Sequence, residues 1–174
     1  MAKPASTTPC GVTTPPAHFT HTEISRTFSR LIGSVSGYIE AERDIEDAAS
    51  WDPAFLDWHR DAEGARSAVL SSIDHIRVSA AVRPEDLPLK RMALLLFALI
   101  ETESSSEFLR LAACLDRHAD LFSCLGTGLV ARRVTQMLTA ARLQVADLAS
   151  LTALVDPLEI AVADSADDPV PVAA

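Results

Sequence analysis

Residues 92–100 read MALLLFALI, nine apolar residues in succession, preceded by Lys90 and Arg91 and followed by Glu101. A helix with one face in water shows a polar residue every three or four positions. A run of nine apolar residues therefore predicts a helix that other parts of the protein cover on nearly all sides. Because the run spans only about half of the hydrocarbon layer of a bilayer, we expect it to mark the centre of a helical core and not a membrane span.

The composition of the chain favours helices over strands. Of its 174 residues, 48% are hydrophobic but only 5% are aromatic, and the apolar weight lies in Ala, Leu, Val and Ile. A chain of this length fits one domain of ordinary size. We predict an all-α fold, a single-domain helical bundle of four to five helices at approximately 21–49, 53–82, 87–103, 105–125 and 128–154.

The ends of the chain differ from its middle. Residues 1–19 are rich in Pro and Thr and show no hydrophobic period, which predicts a disordered arm. Residues 20–155 carry the helical pattern and form the predicted bundle domain. Residues 156–174 form an acidic tail rich in Pro and Ala.

Capping signals set the predicted helix boundaries. The segments 20–23 (THTE) and 104–107 (SSSE) have the spacing of a capping box, so the chain either restarts or kinks at the second one. The pair 52–53 (DP) predicts the start of the second helix, and the pair 83–84 (RP) predicts its end. Gly126 predicts the end of the helix at 105–125.

The first two predicted helices carry heptad seams, in which mostly apolar residues recur in steps of three and four, with Glu42 as the one polar member of the first seam. The first seam is Ile24, Phe28, Leu31, Val35, Tyr38, Glu42, Ile45 and Ala49; the second is Phe55, Trp58, Ala62, Ala65, Val69, Ile73, Ile76 and Ala80. The short turn at 50–52 predicts an antiparallel hairpin. The last helix has the core stripe Val130, Val134, Met137, Ala141, Val145 and Leu148, with Arg132, Arg133, Arg142 and Gln144 on its other side.

The net charge of −9 is distributed unevenly along the chain. Residues 40–63 carry −7 and residues 156–168 carry −5, while the remainder is positive. Such a surface repels phosphate backbones and suits a basic partner, so we expect a protein partner and not a nucleic acid. The N-terminus lacks the apolar stretch of a signal peptide, and no CxxC motif occurs, which predicts a cytoplasmic protein.

Two segments, 57–61 (DWHRD) and 116–120 (DRHAD), share the pattern Asp-x-His-x-Asp. On a helix, residues two apart point in nearly opposite directions, so neither segment forms a local metal site. The Glu-x-x-His pairs of di-iron bundles are absent, as are the glycine-flanked nucleophilic serine and the phosphate-binding glycine loop. The sequence therefore predicts no catalytic residue, no metal ligand and no cofactor.

The segment 75–80, HIRVSA, resembles the site of four-helix histidine-phosphotransfer modules. That family is expected to have Lys or Arg three residues after the His, with a small residue next. Here Arg77 lies two residues after His75, and Val78 occupies the third position. The resemblance covers five residues and implies a phosphotransfer-like bundle as a minor alternative function.

Pairs of carboxylates recur four residues apart along the predicted helices, as at Glu42 and Glu46 and at Asp57 and Asp61. Each such pair of like charges costs a few tenths of a kcal/mol in an isolated helix. The candidate partner-binding acidic face consists of Glu42, Glu46, Asp57 and Asp61. Our leading hypothesis is a non-enzymatic helical protein–protein interaction module, an adaptor, regulator or assembly unit that binds a basic protein surface or self-associates.

The alternative hypothesis is a small-molecule-binding or enzymatic bundle with a site assembled from distant helices. Its candidate residues are Trp58, His75, His118 and Arg110.

Overall fold

A computed structural model describes residues 20–46, 53–102 and 104–151. These residues form five helices of eight residues or more and one single helical turn, with no strand among them. The elements are α1 (Glu23–Glu46), α2 (Phe55–Val78), α3 (Asp86–Glu101), α4 (Ser105–Ala112), α5 (Cys114–Arg117) and α6 (Leu129–Ala149). The predicted all-α helical bundle is confirmed. The predicted arm at 1–19, the turn at 50–52 and the tail at 156–174 lie outside the described residues.

The apolar run lies in α3, and α3 is the centre of the bundle. It contacts α1, α2, α4 and α6, and the side chains of Met92, Leu96 and Leu99 are buried. The prediction of nearly complete coverage is wrong at Leu94, which is 47% exposed. Leu87 lies seven residues earlier on the same face and is also exposed, so α3 has one outward stripe that its neighbours leave open.

The start of α1 differs from the predicted capping box. Thr22, and not Thr20, caps the helix, since its Oγ1 accepts a hydrogen bond from the Ser25 backbone N–H at 3.1 Å. The Thr22 hydroxyl donates in turn to Oδ1 of the buried Asp86, at 2.6 Å. Asp86 Oδ2 accepts from the backbone N–H groups of Val82 and Arg83, at 3.0 and 3.1 Å. One carboxylate therefore joins the start of α1 to the α2–α3 connection.

Helix α2 ends at Val78, four residues before the predicted end at 82. Ser79 has extended backbone angles, and its hydroxyl donates to the His75 carbonyl at 2.8 Å. The Lys90 ammonium from α3 donates to the carbonyls of Arg77 and Ser79, at 3.0 and 2.6 Å. A cation at this position satisfies the carbonyl groups that a helix end leaves free, and it complements the helix dipole.

The helix ends at Glu101 and a new helix begins at Ser105, which is the restart that was one of the two predicted alternatives. Thr102 and Ser104 have extended backbone angles, and the Ser104 hydroxyl accepts from the Glu107 N–H at 3.4 Å. The predicted continuous helix at 105–125 is wrong, because α4 ends at Ala112 and only the single turn of α5 follows it.

Residues 118–128 form a turn followed by an irregular stretch in place of that helix. The Asp120 carbonyl accepts from both the hydroxyl and the N–H of Ser123, a local pairing that competes with helical hydrogen bonds. The Arg91 guanidinium donates to the Leu121 carbonyl at 3.2 Å. Phe122 still reaches the core, whereas Leu125 is 92% exposed, so the apolar period that predicted a helix does not correspond to one buried face.

Gly126 has φ +143°, a conformation that favours glycine, and a Cβ built there lies 3.2 Å from the Ala131 Cβ. We expect Gly126→Ala to lower the free energy of unfolding by about 1–3 kcal/mol, because the backbone is strained for any side chain. Gly33 lies inside α1 with open space around it, so Gly33→Ala should raise stability by about 0.5–1 kcal/mol. Urea titrations of both variants measure these opposite changes, and equal effects at the two sites would contradict the prediction.

Helix α6 completes the core with the predicted stripe, of which Val134, Met137, Ala141, Val145 and Leu148 are buried. The placement of Gln144 on its outer side is wrong, since this residue is only 6% exposed. Its Nε2 donates to the Ile32 carbonyl at 2.6 Å and to the Ser36 hydroxyl at 3.0 Å. Gln144 thereby fixes α6 against α1.

In the described residues, no helix is both long enough and apolar enough to pass through a membrane.

Candidate functional site

The α1–α2 hairpin carries a concentration of carboxylates at one end, which we call the acidic end. Helices α1 and α2 pack against each other and are consecutive in the chain, so the end of α1 and the start of α2 lie together. Six exposed carboxylates define the acidic end: Glu40, Asp44, Glu46, Asp57, Asp61 and Glu63. Only two arginines, Arg43 and Arg60, lie within 40–46 and 53–63.

Both of these arginines already have acidic partners. Arg60 Nη1 lies 2.8 Å from Asp57 Oδ1, and Arg43 Nη2 lies 3.7 Å from Asp147 Oδ1 on α6. Exposed pairs of this kind contribute about 0–1 kcal/mol each. Since Arg43 is directed to a carboxylate outside the acidic end, a surplus of negative charge remains at its surface.

The four residues of the predicted acidic face do not have the same environment. Glu46, Asp57 and Asp61 are exposed, whereas Glu42 is half-buried. Glu42 lines a small cavity of about 70 Å³ together with Tyr38, Leu99, Ile100, Phe108, Leu148 and Leu151. Glu42 is the one polar residue in the otherwise apolar seam of α1, so its side chain lies on the helix face that packs against the core.

Tyr38 lies one helical turn before Glu42, and its environment favours the neutral phenol. Burial, the negative charge of Glu42 and its hydrogen bond with Glu42 raise the pKa of Tyr38 to about 12. A raised pKa adds stability that is complete below about pH 10, the ordinary tyrosine value, and is lost as the pH rises through about 12.

The chain has one tyrosine, so tyrosinate absorbance reports Tyr38 alone. We expect its titration midpoint to lie well above that of the urea-unfolded chain. In Glu42→Gln the midpoint should fall, because one of the causes of the shift is removed, while burial keeps it above the unfolded value. The matched control is Glu40→Gln, an exposed carboxylate two residues away, which should leave the midpoint unchanged. Equal midpoints in the folded and unfolded chains would contradict the assignment.

His75, the residue of the phosphotransfer-like segment, has a carboxylate neighbour. Its Nε2 lies 3.1 Å from Oε1 of Glu23 at the start of α1, and this hydrogen bond is the largest cause that lowers the pKa of Glu23. A phosphoryl group attached at Nε2 would meet the negative charge of Glu23, so this arrangement disfavours phosphotransfer at that atom.

Two of the candidate residues of the ligand-binding alternative lie far apart on one helix. Trp58 and His75 are near opposite ends of α2, and their separation of 17 positions corresponds to about 25 Å of helix rise. His118 follows α5 and is exposed. Arg110 on α4 pairs with Glu107 at 3.2 Å. Because Trp58 and His75 are separated by this distance, the four residues do not form one compact site.

The histidine of the segment 57–61 forms a local pair. His59 Nδ1 lies 3.8 Å from Glu63 Oε1, one helical turn away, and both side chains are largely exposed. Within 20–46, 53–102 and 104–151, no group of three or more His, Cys, Asp or Glu residues is arranged to hold a metal ion.

The heptad seams of α1 and α2 are used inside the bundle. Ile24, Phe28, Leu31 and Val35 of α1 are buried, and so are Ala62, Val69, Ile73 and Ile76 of α2. Self-association through these seams would require the bundle to open. The acidic end, in contrast, is exposed and accessible to a partner without opening the bundle.

No protein-family model matches the chain, and no curated protein or solved structure matches it either.

Proposed function

We propose that the protein is a non-enzymatic helical interaction module that binds a protein partner with a basic surface through its acidic end. The observation that supports this proposal is the excess of exposed carboxylates over arginines at one end of the α1–α2 hairpin. Clustered charge of one sign accelerates encounter with a partner of opposite sign and disfavours partners of the same sign.

The fold supports this function in a second way. The acidic end lies on α1 and α2, the two longest of the described helices. The buried seams pack both helices into the bundle, and Gln144 of α6 donates a hydrogen bond to α1. Charged side chains on packed helices keep their relative positions when a partner binds, so binding costs less conformational entropy than it would on a flexible loop. The described thiols Cys114 and Cys124 are free, which fits the cytoplasm as the compartment that we propose.

The test is affinity purification from the native host with two variants of equal charge change. In the first, Glu46, Asp57 and Asp61 are replaced by Lys; Glu42 is left intact because it is half-buried. In the second, the exposed carboxylates Asp74, Asp116 and Asp120 are replaced by Lys.

The proposal predicts a stoichiometric partner that the wild type and the second variant retain and the first variant loses. Its binding should also weaken with rising salt concentration, because the contact is between exposed charges. Loss of the partner in both variants would indicate an effect of net charge alone, and retention in both would contradict the acidic end as the binding surface. Absence of any stoichiometric partner would contradict the function itself.

A further inference from the structure

Arg142 has an environment that differs from those of the other arginines. It lies in the second half of α6, half-buried, and lines a cavity of about 140 Å³ between α6 and the segment 118–128. The remaining wall of this cavity consists of Phe122, Ser123, Cys124, Thr135, Leu138 and Thr139. The sequence pattern predicts Arg142 on the outer side of α6 and does not indicate the cavity, because it predicts a helix up to residue 125.

The guanidinium of Arg142 lacks the acceptors that an arginine normally has. Its Nε is buried and makes no hydrogen bond to the described residues. Among the described residues, the other arginines have carboxylate, carbonyl, hydroxyl or amide acceptors, except Arg117, which is exposed to water. The Nε atom is closed off from solvent, so an outside ligand cannot reach it. The two Nη groups are not closed off and have no acceptor among the described residues, so they are free to donate to an anion in the cavity.

The other groups of the cavity complement this donor. The hydroxyl of Thr139, one helical turn before Arg142, has no partner among the described residues and lies on the same face of α6. Burial, together with the charge of Glu85, raises the pKa of the Cys124 thiol, so this group stays neutral. No carboxylate lines the cavity, and Arg142 is its only charged residue within the described part of the chain.

We propose that this cavity binds the carboxylate or phosphate group of a small molecule, with Arg142 as the charged donor and Thr139 as a second donor. The planar guanidinium presents paired N–H groups that match the oxygens of either anion. The site goes beyond the proposed function, since none of the carboxylates of the acidic end lines it.

Asp116 is a carboxylate near Arg142 that does not line the proposed site but affects how strongly the site attracts an anion. Asp116 and Arg142 both line a neighbouring, largely apolar depression, yet no ion pair joins them within 4.0 Å. The negative charge of Asp116 reduces the attraction of an anion to Arg142. Asp116→Asn should therefore tighten anion binding, whereas a purely structural role of Arg142 predicts no such change.

The experiment is a nuclear magnetic resonance titration of the ¹⁵N-labelled full chain with inorganic phosphate and, separately, with acetate. Sodium chloride at equal ionic strength controls for general screening. The variants are Arg142→Gln and Thr139→Val, and the matched control is Arg133→Gln, which removes a positive charge from the exposed face of the same helix.

We expect saturable chemical-shift changes at the Arg142 side chain, Thr139 and Cys124 with at least one of the two anions. The anion with the lower dissociation constant identifies the class of the ligand. Arg142→Gln should weaken that affinity about tenfold or more, and Thr139→Val a few-fold, while Arg133→Gln leaves it within about twofold. Non-saturable shifts with both anions, or an affinity that Arg142→Gln does not reduce, would overturn the proposal. Because no protein partner is used, this result is independent of the test of the acidic end.

Discussion

Replacing Leu96 with Asp is expected to unfold the protein, whereas the same replacement at Leu94, two residues away on α3, should leave the bundle folded. Leu96 is 1% exposed and lies where α3 meets its neighbouring helices. Removing a buried leucine costs about 2–5 kcal/mol, and an unpaired buried carboxylate adds several kcal/mol more. Their sum approaches or exceeds the total stability of a domain of this size, about 5–15 kcal/mol.

Leu94 provides a matched control, because it carries the same side chain in the same helix but is half exposed. An Asp at this position can direct its carboxylate into water, so we expect a loss of about 1 kcal/mol or less. Circular dichroism and size-exclusion chromatography of the two variants measure the contrast. A folded Leu96→Asp variant with the stability of Leu94→Asp would mean that α3 is not the centre of the core.

The same pair of residues shows how far the sequence predicts the fold. Apolar spacing correctly indicated the buried faces of α1 and α6, because each of these faces repeats at helical period against a common core. It could not indicate that Leu94 is exposed, since a continuous apolar run has no polar residue to mark the outer stripe. It also failed at 113–125, where Leu115 and Phe122 are buried without a continuous helix between them.

The charges of the candidate surface could be counted from the sequence, but their environments could not. Glu42 and Glu46 are equivalent in a list of carboxylates, yet Glu42 faces the end of the core and Glu46 faces water. The Arg142 cavity was not predictable either, because it requires the segment 118–128 to leave helical geometry and pack beside α6. Local periodicity carries no information about such contacts between elements that are distant in the chain.

Asp86 is the clearest case of a residue whose role depends on distant contacts. It is 2% exposed and accepts hydrogen bonds from Thr22, 64 residues earlier, and from two backbone N–H groups of the α2–α3 connection. We expect Asp86→Ala to lower the free energy of unfolding by roughly 2–4 kcal/mol, because three donors lose a charged acceptor in a buried place. Asp74 is an exposed carboxylate paired with Arg77, and Asp74→Ala should change stability by about 0.5 kcal/mol or less.

Asp86→Asn separates the contribution of charge from that of shape. Its single carbonyl oxygen can serve the two backbone N–H groups while its amide group faces Thr22. The Thr22 hydroxyl can then accept from that amide, but its own O–H loses the Asp86 acceptor. We therefore expect a loss between those of Asp74→Ala and Asp86→Ala, of roughly 1–3 kcal/mol. A double-mutant cycle with Thr22→Val measures the Thr22–Asp86 hydrogen bond itself, and denaturant titrations should give a coupling of about 1 kcal/mol or more. If the effects of Thr22→Val and Asp86→Ala are simply additive, Asp86 stabilises only the α2–α3 connection and does not hold the start of α1.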